Sequence, residues 1–241
     1  MKKYIGISLV ILVFGIIFIP KILERIKNKE VVEADRLNIQ GEKEYDDAEE
    51  LAYLEINGES KKAPDFKFVN QHGDTITNQD YKGKVYLVEF FFTTCTTICP
   101  VMHKNLLEIE KEFENNEDFG IVSISIDPEH DTPKVLTEYA ENYGIDNPNW
   151  NFLTGDKQKI YALANQGFNI YAGEDKNVPG GFAHQGMFAL VDKNGFLRSR
   201  KDQFGNVILF YRGSLERNIS VAEGGQKPQI DILIEDIKKI L

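Results

Sequence analysis

The sequence predicts an α/β fold with a mixed central sheet, preceded by one N-terminal transmembrane helix. Three observations predict it. Residues 4–19 form an uncharged apolar run close to the N-terminus. Two near-continuous apolar runs, KVYLVEFFF (84–92) and FGIVSISID (119–127), are each followed by a stretch of helical periodicity. Such runs suit strands buried on both faces of a sheet. Further along, a hairpin pattern and an amphipathic stretch, QIDILIEDIKKIL (229–241), close the chain.

Taken in order, the elements follow from local chemistry. As a helix, residues 4–19 are roughly 24 Å long, somewhat short of a ~30 Å hydrocarbon core. Ile22 and Leu23 extend the span if Lys21 snorkels to the interface. No small-residue cleavage site follows the run and no cysteine stands after it, so an uncleaved anchor over residues 1–23 is the expectation. Lys and Arg flank the run on both sides, so charge alone does not orient it. Residues 24–62 are rich in Glu, Lys, Asp and Asn and read as a charged linker, within which ELAYLEING has enough apolar character to pair as a strand. Residues 63–241 read as the folded domain. DFKFVNQHGDTIT alternates around a Gly-Asp turn, a hairpin pattern. Residues 100–116 carry apolar side chains at 102, 106, 109 and 113, a helical stripe. Residues 132–144 have Thr132 as N-cap, Pro133 at the first helical position and Gly144 at the end. A short helix is expected over 158–168, and a hairpin over 187–200 with Asn194-Gly195 as its turn.

The composition narrows function. The chain has 241 residues, a net charge of −10 and 42% hydrophobic residues. An acidic surface repels phosphate backbones and argues against nucleic-acid partners. With two cysteines the chain is no disulfide scaffold. Those two, Cys95 and Cys99, sit in FFFTTCTTICPVMHKNL (90–106), where a buried strand hands over to a helix. In open α/β sheets that is where sites are built. Pro100 suits the first helical position, which makes Cys99 the expected N-cap, with both sulfurs facing the positive helix end that stabilises thiolates. A lowered thiol pKa serves a redox catalyst and a metal ligand equally. A local disulfide around so short a loop adds little stability. Two thiolates and one imidazole suit copper, but the residues alone do not choose among His72, His103, His130 and His184.

Three stretches together resemble the Sco (SenC) family of membrane-anchored, thioredoxin-like copper proteins. FFFTTCTTICP resembles the family's F-F-x-x-C-x-x-x-C-P segment, SISIDPEHDTPKVLTEYAENYG its D-P-x-x-D-T-P segment, and HQGMFALVDKNG its ligand histidine and following strand. The resemblance covers roughly residues 63–241. It implies a thioredoxin-like sandwich and a copper ion, Cu(I) or Cu(II), bound by Cys95, Cys99 and His184. It also implies delivery of that copper to the binuclear site of a cytochrome c oxidase subunit, with other copper carriers or thiol reductants as further partners. The same resemblance puts the domain on the extracytoplasmic side of a bacterial inner membrane, behind a single-pass anchor. Ala183 stands where many relatives carry an aspartate, and RKDQFGNVILFYRGSL is longer than the usual family ending.

Two activities are carried forward. One is a copper metallochaperone; the other is a thiol–disulfide oxidoreductase in which Cys95 and Cys99 cycle between dithiol and disulfide. A peroxidase on the same fold is disfavoured, because no arginine lies near the motif in sequence. Asp127 and Asp131 read mainly as turn and cap residues ahead of the 132–144 helix, with contacts to the site loop as their functional alternative. Met187 reads as core packing rather than a weak copper ligand.

Overall fold

A computed structural model describes residues 50–202, 204–220 and 227–241. The expected anchor and the first part of the linker lie outside these residues. Among the described residues, no helix is long and apolar enough to cross a membrane.

The sheet runs in the order β1 (Ala52–Tyr53), β12 (Leu197–Ser199), β11 (Met187–Val191), β6 (Val85–Phe91), β7 (Phe119–Ser125), β8 (Trp150–Thr154), β4 (Lys67–Asn70) and β5 (Thr75–Thr77), with β13 (Tyr211–Arg212) also pairing to β11. The β6–β7–β8 core is parallel and the flanking pairs are antiparallel, which makes the sheet mixed. The short pairs β2 (Glu55–Ile56) with β3 (Glu59–Ser60), and β9 (Ala172–Glu174) with β10 (Phe182–His184), stand apart from it.

Every residue of β6 and β7 is buried. The alternation of a strand sends odd-numbered residues of β6 to one face and even-numbered ones to the other. Glu89 and Phe91 meet His103 of α1 (Cys99–Glu112), and Phe91 meets Tyr139 of α2 (Pro133–Tyr143). On the opposite face Phe90 packs against Phe168, which ends the π turn after α3 (Lys157–Ala162). α4 (Ile230–Ile240) lies beside α1. The sheet is thus covered on both faces, the thioredoxin-like arrangement implied by the resemblance.

Several local expectations hold. All four residues of the α1 stripe are buried. In α2, the Thr132 hydroxyl accepts from the Val135 N–H, Pro133 opens the helix and Gly144 closes it in the left-handed region at φ +68°.

Others shift. Leu51 and Leu54 belong to the core and β1 pairs with β12, so the strand expected in ELAYLEING becomes two two-residue strands, β1 and β2. The 187–200 hairpin has a longer loop than a two-residue turn. Val191 pairs with Leu197, and the Asp192 carboxyl accepts from the N–H groups of Asn194 and Phe196. The Asp192 carbonyl meanwhile accepts the Gly195 N–H, so backbone and side chain together close a three-residue loop that keeps Asn194-Gly195 within the turn. The short helix divides into an α segment and a π turn that ends at Asn169 in the left-handed region. β3, β8, β9, β10 and β13 fall outside the strands the sequence predicts.

Candidate metal centre

α1 starts at Cys99, one residue earlier than expected: Ile98 is the N-cap, makes no side-chain cap bond, and Pro100 occupies the second helical position. A proline fits there because its missing N–H has no helical partner in the first turn anyway. The consequence is geometric. The Cys99 N–H is one of the free donors of the helix mouth, and it points at the Cys95 Sγ at 3.5 Å. Thr97 Oγ1 lies 3.5 Å from the same sulfur. Neither cysteine is bridged, and both are buried: Cys99 entirely, Cys95 with 8% of its surface left. The site is therefore less open than a loop dithiol suggests, and Cys95 is its accessible edge.

The third donor comes from β10. His184 Nε2 lies 3.2 Å from Cys99 Sγ, and donor atoms of Cys95, Cys99 and His184 all fall within 4.8 Å of one another. Thiolate and imidazole ligands bond a borderline metal ion at about 2.0–2.3 Å. Small inward movements of three side chains would therefore bring them onto one ion. Two sulfurs and one nitrogen form a soft donor set, suited to copper and unlike the oxygen cages of hard cations.

Two features place His184. Phe92, directly after β6, meets the imidazole edge-on with ring centroids 5.8 Å apart, and packs on Phe182 at 5.3 Å. The loop joining β9 to β10 closes over the same ring at Gly180. There φ is +85°, and an added Cβ would sit 2.7 Å from Phe92. His184 Nδ1 is buried with no hydrogen-bond partner among the described residues. With Ala183 as its neighbour, no adjacent carboxyl takes that nitrogen.

The two sulfurs behave as a coupled pair. The Cys99 thiol and N–H, helped by His184, donate to Cys95 and hold its pKa well below the usual thiol range, against the opposing effect of burial. Cys99 is pushed up because it keeps the proton that Cys95 accepts and because it is buried. Of the two, Cys95 is therefore the sulfur that ionises first.

The other histidines fall elsewhere. His72 is exposed in its turn. His103 is fully buried, with Nε2 2.7 Å from Glu89 Oε1 and Nδ1 2.6 Å from the Tyr139 hydroxyl. His130 is half exposed against Asp131, whose carboxyl raises its pKa. Met187 packs against the core. Asp127 is buried, and burial followed by the nearby Asp131 raises its pKa. Asp131 is not a helix cap, which is Thr132; it turns inward onto Thr93 in the site loop. Phe92 and Gly180 were missed as site residues. PGG and the third Phe of FFF were the available signals, but neither says what it packs against.

The fold and site define a thioredoxin-like α/β domain bearing a dithiol–imidazole cluster at the C-terminal end of its central strand. The family model described as SCO1/SenC matches residues 55–208, and the chain belongs to that family. Among its relatives is the SCO1 protein homolog of Bacillus subtilis (strain 168), 39% identical over 136 residues, covering 54% of this chain and 68% of the relative. A solved structure of BsSco, described as a member of the Sco family of cytochrome c oxidase assembly proteins with a disulfide switch, superposes with a TM-score of 0.59. It is 30% identical, covering 75% of this chain and 93% of that one. Bradyrhizobium japonicum ScoI, solved with copper bound, shares the fold with a TM-score of 0.55 at 21% identity, over 75% of this chain and 99% of that one.

Proposed function

We propose that this protein is a copper carrier that holds Cu(I) or Cu(II) through Cys95, Cys99 and His184 and passes it to the binuclear copper site of a cytochrome c oxidase subunit. The observation that carries this is the cluster of two sulfurs and one imidazole within 4.8 Å. Membership of a family with relatives in oxidase assembly, and a copper-bound structure of the same fold, support it. Loading with Cu(I) needs both sulfurs as thiolates, so the Cys99 thiol proton is released as the ion enters. Release to an acceptor proceeds by ligand exchange at Cys95, the less enclosed of the two cysteines. The N-terminal apolar run would anchor the chain in a bacterial inner membrane with the domain facing outward, where an exported copper acceptor is reached.

A second activity is favoured by the free, coupled thiols. The Cys95 thiolate attacks an acceptor disulfide, forming a mixed disulfide and expelling one acceptor sulfur. Cys99 then attacks Cys95 and expels the second, its proton passing to the leaving sulfur. The acceptor gains two electrons, and the chain ends with a Cys95–Cys99 disulfide. Copper loading of a dithiol acceptor requires that acceptor to be reduced, so the two activities are compatible.

An anaerobic Cu(I) competition titration followed by Cu(II) absorption spectroscopy tests the proposal. One ion per chain, a thiolate-to-Cu(II) band abolished in Cys95→Ser and Cys99→Ser, and a weakened, shifted band in His184→Ala are expected. Unchanged copper binding in Cys95→Ser refutes the carrier. Copper binding without any reduction of an acceptor disulfide refutes the second activity alone.

A further inference from the structure

The ladder between β6 and β7 stops at Phe91 and Ser125; its last backbone bond runs from the Ile126 N–H to the Phe91 carbonyl. The site loop begins immediately afterwards, and Thr93 has no strand beside it. What holds Thr93 is Asp131, fully buried in the loop between β7 and α2. Asp131 Oδ2 accepts the Thr93 N–H at 3.0 Å and the Ser125 hydroxyl at 2.5 Å. Oδ1 accepts the Thr93 hydroxyl and lies 2.8 Å from His130 Nδ1. A carboxyl group offers about four acceptor positions, and all four are used.

From this clamp the chain turns at once into the site. The Cys95 N–H donates to the Phe92 carbonyl at 3.2 Å, closing a turn that contains Thr93, and the Cys95 sulfur then receives the Cys99 N–H. The Cys95 Sγ therefore owes its place to two fixed points, the α1 mouth on one side and Asp131 on the other. Asp131 touches none of the three donor side chains.

We propose that Asp131 is a positioning residue for metal binding, fixing the loop that presents Cys95 by holding both the N–H and the hydroxyl of Thr93. The proposal rests on the copper reading above and deepens it. An amide keeps one oxygen for the Thr93 N–H but loses the negative charge and the second acceptor oxygen, so the Thr93 hydroxyl and His130 lose their carboxylate partner. Groups that orient metal ligands in this way typically affect affinity about 10–100-fold.

The test uses the 241-residue chain in detergent and compares Asp131→Asn, Thr93→Val and Ser125→Ala. Three measurements are made: Cu(I) affinity by chelator competition, hydrogen exchange at the Thr93 and Cys95 amides, and melting temperature. Asp131→Asn is expected to weaken Cu(I) binding about 10–100-fold and to speed exchange at both amides. Thr93→Val, which loses the hydroxyl and keeps the N–H, should do the same to a smaller degree. Ser125→Ala removes a bond to the same carboxyl without touching the site loop, so it should lower the melting temperature while leaving Cu(I) affinity unchanged. Equal loss of melting temperature in Asp131→Asn and Ser125→Ala with wild-type affinity in both overturns the proposal. If Asp131→Asn does not fold, Thr93→Val decides: unchanged affinity and unchanged exchange overturn it. Wild-type chain that binds no Cu(I) sinks the copper reading itself; wild-type binding with an indifferent Asp131→Asn sinks only this proposal.

Discussion

Cys95 and Cys99 are the same residue type four positions apart, yet they are not equivalent. The helix mouth and the neighbouring thiol both donate to Cys95, while Cys99 is enclosed and keeps its proton. A thiol whose pKa is lowered stays ionised as pH falls, so rapid alkylation of Cys95 should persist well below the ordinary cysteine pKa of about 8.5. Removing the donor in Cys99→Ala should raise the Cys95 midpoint; an iodoacetamide rate profile against pH reads both, and a midpoint near the free-thiol value in wild type would contradict this account. His103 illustrates a different residue-scale constraint. It bridges Glu89 and Tyr139 in the core, and Ser123, itself held by the Trp150 indole N–H, also donates to Glu89. Replacing it by Phe removes the imidazole from Glu89 Oε1, which keeps the Ser123 hydroxyl, and takes the partner of the half-buried Tyr139 hydroxyl, at a cost of about 1–2 kcal/mol. Urea denaturation measures that cost directly.

At the scale of elements, the site depends on how β10 is delivered to α1. The central strand, α1 and α2 were legible in the sequence because each announces itself locally, through a nine-residue apolar run, a buried stripe, or a Thr-Pro start and Gly stop. β9 and β10 were not, because three-residue strands carry too short a pattern to show a period. Their pairing is fixed by the left-handed backbone at Gly180 and its contact with Phe92. Gly180→Ala would force a side chain into an unfavourable conformation, about 1–2 kcal/mol, and push it into the Phe92 ring. The expected result is a modest loss of stability with a disproportionate change in the Cu(II) spectrum, because Phe92 also packs the His184 imidazole. A spectrum identical to wild type would show that the hairpin does not set the ligand.

The whole domain is closed by a second polar cluster away from the cysteines. Arg200, after β12, makes a two-point contact with Asp236 of α4 at 2.7 Å through each bond, and the Tyr211 hydroxyl donates to the same carboxyl at 2.7 Å. The long segment between β12 and α4 is thereby tied to both, through β13 on one side and the helix on the other. Asp236→Ala takes the two-point carboxylate from Arg200, which keeps Glu235 and the Ile232 carbonyl, and leaves the buried Tyr211 hydroxyl without its acceptor; it should cost about 1–3 kcal/mol, lowering the melting temperature while the folded fraction keeps its cysteine reactivity. The extra length of this segment was visible in the sequence; its role was not, since Arg200, Tyr211 and Asp236 are widely spaced along the chain. The same distinction runs through the molecule. The sequence by itself determined the strand and helix core and the helix mouth beside the dithiol, because these lie in contiguous chemistry; His184 was picked from four histidines through resemblance alone. The tertiary structure alone decided which cysteine is less enclosed, what props His184, and that Asp131 grips the site loop rather than capping a helix. Those depend on contacts between segments 38 to 89 residues apart, which no local pattern encodes.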